Sequence, residues 1–208
     1  MNKFKIIAFA ICATFITSIA SAEMRIGVSA NYMMLETTGS ETLRTSEKVT
    51  NTSKDEDAVI PSIFLEVVNS SGLGVGIDYV PVAELGSGTG QDDDNETSGA
   101  NKASAELASH TTLYLIAQSS MGYYVKAGYV MADVDTTENL STGDSYGNTD
   151  TTGTMAAIGY SMDRGSHFMR ADVSFTDYDD VKITSTGGSV VRADVDSTAV
   201  TLSIGKAF

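Results

Sequence analysis

The chain has 208 residues, with 27 acidic against 13 basic side chains and a formal charge of −14, a balance that excludes nucleic-acid binding, which rests on a basic surface. Its hydrophobic fraction is 42%, with 19 glycines and no tryptophan, yet beyond residue 22 no apolar run approaches the roughly 20 residues of a membrane-spanning helix. Membrane apolarity, if present, must be spread over alternate residues of one domain built of strand and loop.

Residues 1–22 read as a secretory signal. Lys3 and Lys5 form a positive start, Ile6 to Ile16 a short apolar core, and Ala20-Ser21-Ala22 a small-residue cleavage site. A retained membrane helix is disfavoured because that core is shorter than a bilayer requires. Cys12, the single cysteine, lies within this segment after Ile11, a residue too bulky for a lipoprotein attachment site. The mature domain, 23–208, therefore carries no disulfide and no thiolate metal site. Losing two lysines and no acid moves its charge from −14 to −16.

Eight segments follow in which apolar residues take alternate positions, the period of a strand with one greasy face. The first, Met24 to Glu36, sets Met24, Ile26, Val28, Ala30, Tyr32 and Met34 against Arg25, Gly27, Ser29 and Asn31. The second, Asp57 to Val68, turns Val59, Ile63, Leu65 and Val67 outward and Ser62, Phe64 and Glu66 inward. In the third, Leu73 to Val82, Leu73, Val75, Ile77 and Tyr79 oppose Gly74, Gly76 and Asp78. The fourth, Glu106 to Gln118, faces Leu107, Leu113, Leu115 and Ala117 outward and Glu106, His110, Thr112 and Tyr114 inward.

The fifth, Tyr123 to Asp133, sets Val125, Ala127, Tyr129 and Met131 against Lys126 and Gly128. The sixth, Thr154 to Asp163, carries Ala156, Ile158, Tyr160 and Met162 outward. The seventh, His167 to about Val181, opposes Met169, Ala171, Val173 and Phe175 to Arg170, Asp172, Ser174 and Thr176. The eighth, Val195 to Phe208, carries Val200, Leu202, Ile204 and Phe208 outward, interrupted by Lys206, which can snorkel to water at a membrane rim.

Short connections at 69–72, 119–122 and 163–166 alternate with long polar ones at 37–56, 83–105, 134–153 and 182–194. An outer-membrane barrel has this asymmetry, with short periplasmic turns and long extracellular loops, and it would place both termini in the periplasm. A soluble sandwich or lipocalin-like barrel alternates too, with its apolar face inward. The signal segment, the terminal Phe208 and the loop asymmetry favour the membrane, where only a closed sheet satisfies every backbone group.

These segments, the Ala20-Ser21-Ala22 signal end and the stretch Val200 to Phe208 resemble the eight-stranded outer-membrane β-barrel superfamily that includes the OmpA transmembrane domain, OmpX and the small porin-family proteins. The resemblance implies an all-β, antiparallel, up-and-down transmembrane barrel in the bacterial outer membrane. It also implies that Val200, Leu202, Ile204 and Phe208 form a C-terminal insertion signal read by the barrel-assembly machinery; Lys206 departs from that pattern. Outer-membrane lipid and the assembly machinery are the expected partners, and the barrel is expected to be a monomer. An OmpA-type peptidoglycan-binding domain after the eighth segment is not expected.

Inward parity collects Arg25, Glu66, Asp78, Glu106, His110, Lys126, Arg170 and Asp172. In a barrel this narrow they are expected to form a salt-bridged plug, with Arg25 and Glu66 as the leading pair, because unpaired charge there is costly. A narrow solute pore lined by the same groups is the alternative. Pro61 and Pro81, which lack an amide donor, are expected at one height near the outer rim, Pro61 facing Val80 and Pro81 facing Ile60.

Neither His110, of inward parity, nor His167, beside a turn, offers a base next to a nucleophile at the lipid face, so no catalytic residue is assigned. The run Gln91-Asp92-Asp93-Asp94-Asn95-Glu96 and Asp177, Asp179 and Asp180 match no calcium-loop spacing, so neither a cofactor nor a metal is expected. The sequence thus points to a structural or envelope-stabilising outer-membrane barrel. Surface adhesion or binding through its acidic loops is a second reading.

Overall fold

A computed structural model describes residues 22–44, 47–91 and 100–208. The secretory signal, save Ala22, and Asp92 to Glu96 lie outside the described residues. The strands are β1 (Glu23–Thr42), β2 (Val49–Val68), β3 (Leu73–Val80), β4 (Ala83–Gln91), β5 (Ala100–Gln118), β6 (Tyr123–Asn139), β7 (Thr149–Arg164), β8 (His167–Tyr178), β9 (Val181–Thr184) and β10 (Val190–Ala207). Antiparallel pairing runs β1-β2-β3-β5-β6-β7-β8-β10, and β10 returns to β1 from Arg25↔Ala207 to Thr42↔Val190, closing an eight-strand ring. β4 pairs with β5 and β9 with β10, extending the wall beyond that ring.

The connections at one end are as tight as their sequences predict. Asn69 Oδ1 accepts the backbone N–H groups of Ser71 and Leu73 at 2.9 and 3.1 Å, an Asx turn that fixes the β2–β3 hairpin. Gly72 has φ 81° and backs onto the Gln118 carbonyl, where an added Cβ would sit 1.9 Å away, so no other residue fits. Both ends of the closed ring, Glu23 and Ala207, lie at this turn side.

The other end differs from the expectation of long loops. Much of 37–56, 134–153 and 182–194 is strand, including the β9–β10 hairpin. Outside the bilayer a strand has no lipid to face, so threonine-rich stretches such as 149–152 can pair without alternating apolar residues.

The outward face is apolar. Leu113, Val125 and Ile204, each about half exposed, point away from the axis, whereas Arg170 is 4% exposed within it. Exposed aromatic rings mark two levels: Tyr123, Tyr160 and Phe208 towards the turn side, and Tyr32, Tyr79, Tyr129 and Phe175 further along their strands. A soluble protein would not display so continuous an apolar girdle. Bilayer-spanning barrels carry one flanked by aromatic residues.

Two register details depart from expectation. Leu65 faces Ile77 and Ile63 faces Tyr79, one residue away from the pairing expected around the prolines. Directly opposed residues share a face, so outward Leu65 must meet outward Ile77 rather than inward Gly76. The β2–β3 ladder ends at Ile63↔Tyr79, just short of both prolines, which supply no ladder donor. In β5 the register shifts between Leu107 and Ser109. The extra residue reverses parity beyond it, so Leu107 is buried and Glu106 is exposed, opposite to the expectation for both.

Candidate functional site

The turn-side half of the lumen is filled by an ionic cluster set in a collar of rings. Phe64, Tyr114, Tyr124 and Phe168 point inward, each lying over a glycine of a neighbouring strand: Gly27, Gly76, Gly159 and Gly205, respectively. A Cβ at any of these glycines would come within 2.3 to 2.5 Å of the ring facing it, so the missing side chains are what make room for the collar. Within it Arg170 Nη1 donates to Glu66 Oε1 at 2.7 Å, both side chains being almost wholly buried. Tyr114 donates to the same oxygen at 2.7 Å. Arg170 also lies 4.5 Å from the Phe168 ring centre and 5.3 Å from that of Tyr124. Its Nε and Nη2 have no hydrogen-bond partner, and these aromatic faces give the cation its remaining contacts.

Arg25 and Glu66 are opposite each other in the ladder but do not pair. Arg25 bonds to Glu23 and, through Nη1, to Gln118 Oε1 at 2.6 Å. Glu66 instead reaches Arg170, three strands away round the ring, because an eight-stranded lumen is narrow enough for long side chains to span. Lys126 Nζ lies 3.3 Å from Asp172 Oδ2, which also accepts the Tyr124 hydroxyl at 2.5 Å. Asp78 accepts from Ser62 Oγ at 3.0 Å, and His110 Nε2 meets the Tyr178 hydroxyl at 3.1 Å. Glu106 stands outside this network. At the C-terminal strand, Val200, Leu202, Ile204 and Phe208 all face outward.

Above His110 the lumen changes character. Met33, Ile60, Val80, Leu107, Val130, Ala132, Tyr178 and Ala199 form an apolar ring. It opens into a cavity of about 470 Å³ walled by Met33, Leu35, Leu107, Val134, Ile183 and Val195, with His110 and Tyr178 on its floor. The interior is therefore side-chain-filled in its turn-side half only. This cavity was missed by reasoning from charged residues alone. Its signal is the inward sequence itself, which runs Tyr124, Lys126, Gly128 and then Val130, Ala132, Val134 along β6. The cavity also touches Lys54 and Glu56 of β2 and Ser87 of β4, two strands that approach each other with no hydrogen-bonded ladder between them among the described residues.

Connections between the outer strands gather over this end. Arg44 Nη1 donates to the Gly187 carbonyl at 2.6 Å, and Thr186 N donates to the Ser145 carbonyl at 2.9 Å. The Tyr146 hydroxyl donates to Glu41, and burial together with that carboxylate pushes the phenol pKa upward. His167 lies on the exposed β7–β8 turn. Among the described residues no three His, Cys, Asp or Glu side chains are grouped to hold a metal ion.

Neither a protein-family model nor any curated protein matches the sequence. Solved structures do. The outer membrane protein OprG from Pseudomonas aeruginosa is 13% identical with a TM-score of 0.62, over 90% of this chain and 96% of that one. Ail from Yersinia pestis is 11% identical over 90% and 99% (TM-score 0.46), and the neisserial surface protein NspA is 12% identical over 88% and 97% (TM-score 0.44). The closed ring, the outward apolar girdle and the likeness to OprG together show that this chain has the fold of the eight-stranded outer-membrane β-barrels.

Proposed function

We propose that the protein is exported through residues 1–22 and stands in the outer membrane with both termini in the periplasm, where it holds a small apolar molecule in the outer half of its lumen. The observation that carries this reading is the cavity of about 470 Å³, within the range of small-molecule sites, whose wall sets aliphatic residues such as Leu35, Val134, Ile183 and Val195 beside a polar margin of Lys54, Glu56, Glu138 and several threonines. An apolar chain leaving water for the aliphatic part of that wall gains hydrophobic transfer energy in proportion to the area it buries there. The floor beneath it supports a retaining role rather than a general pore, since Glu66, Arg170, Lys126 and Asp172 pair across the lumen. The same cluster supports an envelope-stabilising role for the turn-side half, and the protein acts without catalysis, as a monomer.

Two measurements test this. Purified protein in a planar bilayer should show no steady ion conductance; a sustained current would favour a narrow porin. In lipid nanodiscs, N-phenyl-1-naphthylamine should bind saturably, at one site per barrel, and be displaced by decane. Uptake rising linearly and identical to that of empty nanodiscs would remove the ligand reading.

A further inference from the structure

The turn side of this acidic chain carries its outward basic residues in one place. Lys206 of β10 stands opposite His167 of β8, and His167 stands opposite Arg164 of β7, so the three share one face and one height on neighbouring strands. All three are exposed. The next row towards the bilayer, two strand residues or about 7 Å away, is Ile204, Met169 and Met162, each more than half exposed on the apolar girdle. The backbone fixes the basic row, since Arg164 and His167 close a two-residue turn and Ala207 N donates to the Ser166 carbonyl at 2.8 Å. The other two turn-side hairpins, 69–72 and 119–122, carry no charged residue.

Cations set directly opposite one another across a ladder repel, and an anion between them relieves that cost. Among the described residues none of the three has an ion-pair partner. The acids at this end are engaged elsewhere: Asp163 lies on the lumen face opposite Phe168 and accepts from Ser161 Oγ at 2.9 Å, and Glu23 bonds to Arg25. The terminal carboxylate of Phe208 accepts from Met24 N at 3.3 Å, while the Lys206 ammonium lies 4.6 Å over the Phe208 ring. We infer that Arg164, His167 and Lys206 hold the phosphate of an anionic phospholipid, whose acyl chains lie along Met162, Met169 and Ile204. Even a neutral imidazole has an N–H to donate to that phosphate. The apolar row selects a ligand with chains, and a soluble acidic partner would have to displace lipid from it. The assignment to the phospholipid leaflet rests on the periplasmic orientation proposed above.

The test uses the mature barrel in a nonionic detergent, with dioleoylphosphatidylglycerol and dioleoylphosphatidylcholine as probes of identical chains, read by native mass spectrometry. Each cation near an anionic headgroup is worth about fivefold in affinity, so one phosphatidylglycerol should be retained per barrel at a concentration roughly 25-fold below that for phosphatidylcholine. Arg164→Gln should reduce that preference about fivefold, and adding Lys206→Gln should abolish it, in barrels checked for folding by heat-modifiable gel migration. Lys182→Gln with Arg192→Gln, which removes two exposed cations paired across β9 and β10 at the other end, should leave it intact. Inorganic phosphate should not displace the lipid; displacement would overturn the assignment to a lipid. Equal retention of the two lipids by the unaltered protein, a preference that survives loss of Arg164 and Lys206, or an equal loss in the distant double variant would overturn the site and leave the orientation standing. The comparison of lipids on the unaltered protein decides the point even if a variant fails to fold. Orientation is read separately: Ser166→Cys, in a mature chain with no other cysteine, should resist a membrane-impermeant maleimide in intact cells, and labelling there would overturn the orientation and the leaflet together.

Discussion

The two halves of the lumen are built on opposite rules. On the turn side, charge is neutralised by specific partners and each inward ring depends on a particular glycine, so every position is committed. On the loop side, the same inward-facing register carries aliphatic residues around space, and contacts there are interchangeable. Committed packing makes a seal, whereas uncommitted apolar wall makes a place for a guest. The contrast predicts that changes below His110 will be read in folding and changes above it in binding.

The sharpest way to break that contrast is Glu66→Gln, which leaves Arg170 buried without a counter-charge. It should cost about 3–5 kcal/mol, measured by urea unfolding in lipid, and an unchanged midpoint would mean that the ionic cluster does not hold the barrel. Gly205→Val is the next largest. The new side chain would be driven into the Phe168 ring and the Ile26 carbonyl, for a loss of about 1–3 kcal/mol on the same assay. On the other side, Ala193→Phe, which narrows the cavity from β10, should change stability by less than about 1 kcal/mol. It should nevertheless weaken binding of N-phenyl-1-naphthylamine by fluorescence titration. Wild-type dye affinity in that variant would show that the cavity is not where the dye binds.

Much of this was legible in the amino-acid order. Alternation identified the outward girdle and the eight ring strands, because a bilayer forces every other residue to be apolar. Legibility ended where that pressure ends. Beyond the bilayer, Thr149–Thr152 and the β9–β10 hairpin are strands without a lipid face, so their sequences look like loop. The β5 irregularity at Leu107/Ser109 is a backbone event without a side-chain signature, and it moved Glu106 outside. Neighbour reasoning suggested Arg25 for Glu66 because it sees only adjacent strands; the real partner, Arg170, lies across the lumen. The cavity was visible in principle, in the change from Lys126 and Gly128 to Val130, Ala132 and Val134, but a search confined to ionisable residues passes over it.

The abrupt end of the β2–β3 ladder gives the cylinder a weakest stave. Hydrogen-bonded contact there covers only Ile63 to Val68, whereas the seam between the first and last strands runs from Arg25 to Thr42. Thermal breathing should therefore part the wall at Pro61 and Pro81 and leave the terminal seam zipped. Amide protons of β2 above Ile63 that face β3 should exchange with solvent deuterium well before those joining Ile26 to Lys206.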